Sequence, residues 1–480
     1  MSTRRDRTWA VILAAGEGKR MRSRRAKVLH PLAGRPLVDY PVALARAAGT
    51  AGIVVVIGHE GEAVRAALAA KAPTDLHFAE QKEQRGTGHA LVMARGTLPE
   101  DATELLLLYA DVPLLAAATV QRLLAHHRAR RAAATVLTFT PADPTGYGRI
   151  VRRGRRGPIV RIVEERDATA AQRRIGECNS GIYSFDPRTV WPALDRLSPD
   201  NDQGELYLTD VIGLLARRRQ RVESVHVDDP VEVTGVNDRT QLVRLEAVLR
   251  DRTLTRLMTE GVTVLDPAAT YVEPGVTVGR DTVLYPGVRL EGQTTIGEGC
   301  VVGTGCHLTD MTVGDRVHFR PYCIVERSVI EADVVLGPFA RLRPGTILEA
   351  GADLGNFIEI KKSRIGRGVK AHHVGYLGDT TVGEGANIGA GTITCNYDGE
   401  SKHTTEIGAR AFVGTNASLV APLRIGDDAY IGAGSVVTKD VPPGALAVGR
   451  AHQVIKEGWA AARRARKARE GFTPPPAPAP

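Results

Sequence analysis

A short apolar run, Trp9–Ala15, opens directly into Gly16-Glu17-Gly18-Lys19-Arg20, with Lys27 close behind. A strand that breaks into a glycine-rich turn leaves backbone N–H groups free to meet phosphate oxygens, and Lys19, Arg20 and Lys27 add positive charge where an anion would sit. The segment is neither a Walker A loop nor a dinucleotide fingerprint. A plain tight turn flanked by solvated basic residues is the competing reading. A second group raises the odds: the apolar run Leu105–Tyr109 delivers Asp111 at its carboxyl end, followed by Pro113. A carboxylate there is costly unless it binds something, and beside phosphates its natural partner is Mg²⁺, a hard cation that takes one or two carboxylates plus substrate oxygens. The alternative is an aspartate that caps the next helix.

These groups need a rigid frame. Trp9–Ala15, Ile53–Ile57, Leu105–Tyr109 and Thr135–Thr140 are short, continuous apolar runs, as buried parallel strands should be. Helical stretches such as Pro36–Ala48 and Val120–Arg131 lie between them. The βαβα order predicts a layered, Rossmann-like α/β domain over residues 1–237, with its ligand site at the carboxyl ends of the strands. Residues 238–261 lack an internal Gly or Pro before Gly261 and place Leu242, Leu245, Val248 and Leu249 on one face, which predicts a connecting helix.

From residue 262 the hydrophobic period becomes six. Val272, Val278, Leu284, Leu290, Ile296, Val302 and Leu308 form one run; Ile324, Ile330, Leu336, Leu342, Leu348, Leu354 and Ile360 form a second in shifted phase; Ile407, Val413, Leu419, Ile425, Ile431 and Val437 form a third. Neither a helix nor an ordinary strand yields that spacing. A parallel β-solenoid over 262–450 does, with each sixth residue pointing into a narrow prism. This explains 51 glycines beside only 5% aromatic residues, since aliphatic stacks fill such a prism and large rings are not expected in it. Residues 394–406 abandon the rule and read as a projecting loop, and 451–480 as a short basic helix, Ile455–Glu470, with a Pro-rich tail, Pro474–Pro480.

The formal net charge is +9, and it sits at the ends: nine Lys/Arg against Asp6 and Glu17 in residues 1–30, and six against Glu457 and Glu470 in 451–480. Aromatic residues are scarce beside both patches, so nucleic acid is not the expected partner. No apolar stretch reaches the roughly 18 residues needed to span a membrane, and no signal peptide is expected. Five scattered cysteines without C-x-x-C spacing suit a reduced cytoplasm and no zinc site.

The segments LAAGEGKRM (13–21), KVLHPLAGRP (27–36), GTGHA (86–90), DVPL (111–114), DPTGYGRI (143–150), IVEERDAT (162–169), NSGIY (179–183) and QGELYLTD (203–210) resemble the sugar-nucleotide pyrophosphorylases. The set is most similar to the family of bifunctional N-acetylglucosamine-1-phosphate uridyltransferases and glucosamine-1-phosphate acetyltransferases, and the likeness extends over roughly residues 8–460. That resemblance implies that Leu13, Ala14, Gly16, Gln81, Gly86, Thr87 and Tyr109 hold the nucleotide. Arg20 and Lys27 would neutralise triphosphate charge, Gly148, Glu164, Asn179 and Asn237 would contact the N-acetyl sugar, and Asp111 with Asn237 would coordinate Mg²⁺. The implied reaction is attack of a sugar-1-phosphate oxygen on the α-phosphorus of UTP, with pyrophosphate leaving. Such a nucleophile is already ionised at neutral pH, so positioning and charge neutralisation are what the protein must supply. Lys19, Ala26 and Ala110 stand where the family usually has Thr, Pro and Gly; the extra methyl of Ala110 is expected beside the nucleotide or metal.

In the solenoid, the resemblance makes His373 the catalytic base, with His372 as its rival. An amine attacking a thioester needs a group to take its proton, and imidazole titrates near neutral pH. Arg343, Lys361, Tyr376 and Asn387 would hold glucosamine-1-phosphate, while Ala390, Asn396, Tyr397, Thr415, Ala433 and Arg450 would contact acetyl-CoA or shape its groove. Thr415 keeps the hydroxyl of the family's usual Ser; Gly375 loses one. The resemblance further implies a left-handed β-helix, a homotrimer, and a cytoplasmic enzyme acting on small phosphorylated substrates. A monofunctional nucleotidyltransferase whose solenoid only trimerises is the alternative, and His373, Lys361, Arg343 and the Asn396-Tyr397 loop speak against it.

Overall fold

The computed structural model describes residues 7–70, 74–154 and 157–471. It divides into two compact units, Met1–Arg256 with Val272–Pro274 and Leu257–Tyr271 with Gly275–Pro480.

The first unit is built on a mixed sheet of nine strands: β1 (Thr8–Leu13), β2 (Gly52–Ile57), β3 (Leu76–Glu80), β4 (Glu104–Tyr109), β5 (Ala134–Phe139), β6 (Arg149–Arg152), β7 (Ile159–Val163), β8 (Cys178–Phe185) and β9 (Val222–Val227). The order along the sheet is β9-β5-β8-β4-β1-β2-β3, with the β6–β7 ribbon attached to β8. Strands β4, β1, β2 and β3 run parallel, and β8 is antiparallel to both of its neighbours. The runs read as parallel strands are apolar throughout because helices cover both faces; every residue of Gly52–Ile57 is buried. Two apolar layers, around Ile12 and Leu108 on one side and Val11 and Leu107 on the other, sandwich the sheet.

Helix Arg239–Thr259 starts at Asp238, whose carboxylate accepts the Gln241 N–H at 2.8 Å. Leu245 is buried against Met21, Leu32, Leu37, Leu114 and Val236, with Leu242, Val248 and Leu249 packed on the same cluster. The face picked out by its spacing is therefore the one that packs.

The second unit is a parallel β-helix. Strands of two to four residues stack into three sheets of 11, 10 and 9 strands, each strand pairing in parallel with the one a full coil later. Leu284 lies against Val302 and Leu348 against Ile365 in this way. The first and third aliphatic runs point inward as expected, all of their members being buried. The second run needs correction at its start: Ile324 is 45% exposed, while Val325 beside it is wholly buried. Here the inward positions are Leu308, Val313, Val325 and Ile330, so two steps shorten from six residues to five, and Leu308 pairs with Val325. A one-residue slip moves a side chain to the other face of a strand, which is why the shifted phase misplaced Ile324.

The exclusion of rings from the prism also fails once. Phe319 is fully buried at an inward position, between Val302 and Leu336 of the coils before and after it. The projecting loop is shorter than the 394–406 expected: Thr394, Cys395, Thr405 and Glu406 pair within the solenoid strands, and 396–404 leave it as a loop closed by an antiparallel bridge, Tyr397 to Lys402. The basic helix spans Trp459–Arg469 and is exposed along its length; the Pro-rich tail lies outside the described residues. Among the described residues no helix is long and apolar enough to cross a membrane.

Candidate functional sites

Strands β1 and β4 are paired in register from Thr8 and Glu104 to Leu13 and Tyr109, so the glycine-rich turn and Asp111 leave neighbouring strands at the same end. Strand order departs from β1 in both directions here, the switch point where open α/β sheets bind ligands. A cavity of about 250 Å³ opens at that end. All seven residues expected to hold nucleotide line it, Leu13, Ala14, Gly16, Gln81, Gly86, Thr87 and Tyr109, and so does Lys27. Asp111 lines it too.

The local chemistry explains the placement. Gly18 has φ +64°, and a Cβ there would come within 2.5 Å of Lys27 Cβ, so only glycine lets Lys27 lie against the turn. Gly86 has φ +101° and abuts the Leu206 carbonyl at 2.7 Å from where a Cβ would stand. Buried Gln81 donates to the Gly86 carbonyl at 3.1 Å and meets His89 Nδ1 at 3.1 Å. Gln84, which sequence reasoning passed over, also lines the cavity and donates to the Ala15 carbonyl at 2.8 Å, tying the turn to the far wall. Only the local Q-x-x-Q spacing could have flagged it.

Charge gathers at one corner of the cavity. Lys27 Nζ lies 2.5 Å from Asp111 Oδ2 and 3.2 Å from Asn237 Oδ1, and Arg20 donates to the same Asn237 oxygen at 2.9 Å. The Val236 N–H bonds the Asp111 carbonyl at 2.8 Å, which brings Asn237 beside Asp111 although 126 positions separate them in the chain. Asp111 is thus no helix cap; the next helix, Ala117–Arg130, has Ala116 at its N-cap and no side-chain cap. Lys19 turns away to pair with Glu17 at 2.5 Å and stays exposed, so of the three basic residues Arg20 and Lys27 carry the site. Ala110 is buried in the core, and its methyl does not face nucleotide or metal as expected. Its N–H donates to the Leu13 carbonyl where the chain turns at the end of β4.

Three of the four sugar-contact candidates, Gly148, Glu164 and Asn179, cluster on the β6–β7–β8 side, while Asn237 lies beside Lys27. The Asn179 N–H donates to the Gly148 carbonyl at 2.8 Å, and a Cβ on Gly148 would stand 3.5 Å from Glu164 Oε2 and 3.6 Å from Asn179 Cβ. Asn179 Oδ1 accepts from the Tyr183 hydroxyl at 2.9 Å and from the Gly181 N–H at 3.0 Å, which fixes the amide. Burial raises the pKa of Glu164, partly offset by a 2.9 Å hydrogen bond from Thr209. Tyr109 stands between cavity and cluster: a Cβ on Gly181 (φ +83°) would come within 3.0 Å of its ring. Burial, with the charges of Glu164 and Asp111, holds its phenol neutral far above the usual range.

In the β-helix the candidates occupy two corners. Gly355, the pair His372–His373, Ala390, Thr415, Ala433 and Arg450 follow one another up one corner, coil by coil. The Gly391 N–H bonds the Val374 carbonyl at 2.6 Å, Asn416 the Ala390 carbonyl at 2.6 Å, Gly434 the Thr415 carbonyl at 2.7 Å, and Arg450 NH1 the Ala433 carbonyl at 2.9 Å. A Cβ on Gly355 would sit 1.6 Å from the His372 carbonyl oxygen, so glycine is required beneath the histidines. His372 is held by Asp353 at 2.9 Å, which leaves exposed His373 as the imidazole without a carboxylate partner among the described residues.

Along the other corner, Arg343 bonds Glu359 at 3.0 Å and stands one coil from Lys361, which pairs with Gly378 in the next. Lys361 Nζ is 3.9 Å from Asp379 Oδ2, which accepts from Asn396 Nδ2 at 2.5 Å. A Cβ on Gly378 would meet the Tyr376 hydroxyl at 2.4 Å and Asn396 Nδ2 at 2.8 Å, so this glycine lets the two approach. Asn396 therefore sits among the sugar-phosphate candidates rather than along the corner of Ala390 and Thr415. Tyr397 is 59% exposed on the loop, its hydroxyl bonded to the Gly399 carbonyl. Asn387 pairs with Lys370 and Phe412, three positions before Ala390. Lys402 was not anticipated: its ammonium lies against Lys361 and, with burial, lowers the Lys361 pKa, while Asp379 opposes the shift. Strand Gly375–Gly378, carrying Tyr376, joins the two corners.

Fold and sites together define a nucleotidyltransferase domain followed by a hexapeptide-repeat transferase domain. Residues 10–207 match the MobA-like NTP transferase domain family, and 404–439 match the bacterial transferase hexapeptide (six repeats) family. The chain is 49% identical over 454 residues to the bifunctional protein GlmU of Fervidobacterium nodosum, covering 95% of this chain and 97% of that one. It is 49% identical over 476 residues to the bifunctional protein GlmU of an Anaeromyxobacter species (98% and 96%), and 46% identical over 464 residues to that of Koribacter versatilis (96% and 98%). The chain belongs to the bifunctional GlmU family.

Proposed function

We propose that the residues described above serve the two half-reactions of UDP-N-acetylglucosamine synthesis. The enzyme is bifunctional: it transfers acetyl from acetyl-CoA to glucosamine-1-phosphate, and uridylyl from UTP to N-acetylglucosamine-1-phosphate. The observation that carries the reading is the convergence of Lys27, Arg20, Asp111 and Asn237 on one corner of the nucleotide cavity, with His373 and Lys361 on two corners of the β-helix.

In the first domain, the backbone around Leu13–Gly16 and the Gln81–Thr87 wall bind the nucleotide, and Gly148, Glu164 and Asn179 bind the sugar. Asp111 and Asn237 offer two oxygens that already embrace one cation, the Lys27 ammonium, and hard oxygen donors of this kind suit Mg²⁺. Bound there, Mg²⁺ would neutralise charge on the triphosphate. Lys27 and Arg20 steady the phosphates, and the ionised sugar phosphate attacks the α-phosphorus as pyrophosphate departs.

In the second domain, Arg343 and Lys361, aided by Lys402, hold the phosphate of glucosamine-1-phosphate. His373 takes the amine proton as the amine attacks the thioester carbonyl; the C–N bond forms, the C–S bond breaks, and CoA leaves. Ala390, Thr415, Ala433 and Arg450 make the corner along which CoA lies. A cytoplasmic homotrimer belongs to the same reading. Support for self-association comes from Tyr322, Phe339 and Phe357, whose rings stack on successive coils yet remain 50%, 48% and 56% exposed.

Purified protein should release pyrophosphate from UTP plus N-acetylglucosamine-1-phosphate with Mg²⁺, and CoA from acetyl-CoA plus glucosamine-1-phosphate. Asp111→Ala should abolish the first and spare the second; His373→Ala should do the reverse. CoA release that survives His373→Ala would remove the histidine from the mechanism.

A further inference from the structure

Behind the sugar end of the uridylyl site lies a buried charge pair that the reaction itself does not use. Gly148, Glu164 and Asn179 each have a chain neighbour, Arg149, Glu165 and Cys178. The neighbours come together as their partners do. Arg149 is paired with Val163 on β7 and Cys178 on β8, and it is 1% exposed. Its NH2 lies 2.6 Å from Glu165 Oε2, and its NH1 donates to the Tyr147 carbonyl. Arg173, on the short helix Ala170–Arg173, closes on Glu165 from outside at 3.7 Å.

The pair is poorly suited to a stabilising role. Among the described residues Arg149 Nε has no hydrogen-bond partner, and the Glu165 oxygen meets the guanidinium off the direction of its N–H bonds, as a charge contact rather than an aligned hydrogen bond. A buried ion pair with unmet donors costs about as much in desolvation as it returns, and apolar replacements of similar volume are often neutral or better. What it does supply is a fixed distance between two segments, since shifting either strand would strand a buried charge.

We propose that Arg149 and Glu165 are positioning residues for the uridylyl reaction: by tying the start of β6 to the chain leaving β7, they hold Gly148 and Glu164 at the spacing that admits an N-acetylated sugar phosphate. The inference rests on the assignment of Gly148, Glu164 and Asn179 to the sugar.

Steady-state kinetics on the full chain test it with Glu165→Gln, Arg149→Met and Arg149→Lys. Glu165→Gln keeps shape and half-buried polarity while removing charge. It should raise KM for N-acetylglucosamine-1-phosphate roughly 10- to 100-fold, the scale of a misplacement near 1 Å. KM for UTP and the rate of CoA release should stay within about twofold. Arg149→Met should do the same, and Arg149→Lys, which restores the charge, should recover much of the loss. An unchanged sugar-phosphate KM beside a lowered melting temperature would overturn the proposal, as would equal rises in both KM values. Should Arg149→Met fail to fold, Glu165→Gln decides alone. Wild-type protein that released no pyrophosphate from N-acetylglucosamine-1-phosphate and UTP would instead defeat the underlying site assignment.

Discussion

Two ammonium groups share a small space at Lys361 and Lys402, and the second makes the charge of the first more costly. The Lys361 pKa is lowered first by Lys402 and then by burial, with Asp379 acting the other way. A phosphate is held by the protonated lysine, so a depressed pKa means that affinity is present at low pH and lost, as pH rises, earlier than for an ordinary lysine. The KM for glucosamine-1-phosphate should therefore climb on the alkaline side. Lys402→Ala should move that limb to higher pH while weakening binding at neutral pH by about tenfold, since a charge-assisted contact of about 1.5–3 kcal/mol is lost. A pH profile of KM for wild type and variant, with UTP turnover as control, checks both the direction and the loss. Lys361 could be singled out from its motif, whereas Lys402 could not: it lies 41 positions away, and a loop that leaves the solenoid and returns brings it back. Ala110 makes the complementary point. Its identity was plain, but whether its methyl met ligand or core depended on the turn the chain makes beyond β4.

At the scale of elements, the corners of the β-helix place the residues proposed for acetyl transfer. Gly355 lies directly below the His372 carbonyl, so Gly355→Ala should push the His372-His373 turn outward. CoA release should fall at least tenfold while pyrophosphate release is unaffected, as measured by the two assays on one preparation. Gly355→Ser should fail in the same manner, because the obstacle is the Cβ itself. The inward run of aliphatics was legible at most positions because a six-residue period has no competing explanation. It slipped at Ile324 because two coil steps shorten to five residues, and period alone carries no memory of a deletion. Helix Arg239–Thr259 was legible for the opposite reason: its capping aspartate and its apolar stripe are both local.

Across the whole molecule, each unit has its own buried interior, the two layers around the mixed sheet and the aliphatic stack of the prism. Scanning calorimetry should accordingly resolve two unfolding transitions. UTP with Mg²⁺ should raise one, and acetyl-CoA the other, each by an amount that grows with ligand as expected when only the folded state binds, about 2.7 kcal/mol at a hundredfold excess over Kd. A single transition raised equally by both ligands would contradict it. The charge of +9 finds its use at this scale as well: Arg20 and Lys27 of the N-terminal cluster reach the nucleotide site, while the C-terminal helix stays in solvent.

The order of strands and helices, the six-residue repeat and the choice of most candidate residues followed from the chain alone, because each depends on periodicity or on a short contiguous motif. Tertiary structure alone decided the contact of Lys27 with both Asp111 and Asn237, the facing of Lys361 and Lys402, the inward turn of Ala110 and the clamp of Arg149 on Glu165. In each case the deciding contact joins segments far apart in sequence or depends on which way a side chain faces, and neither distance in space nor facing is written in local spacing.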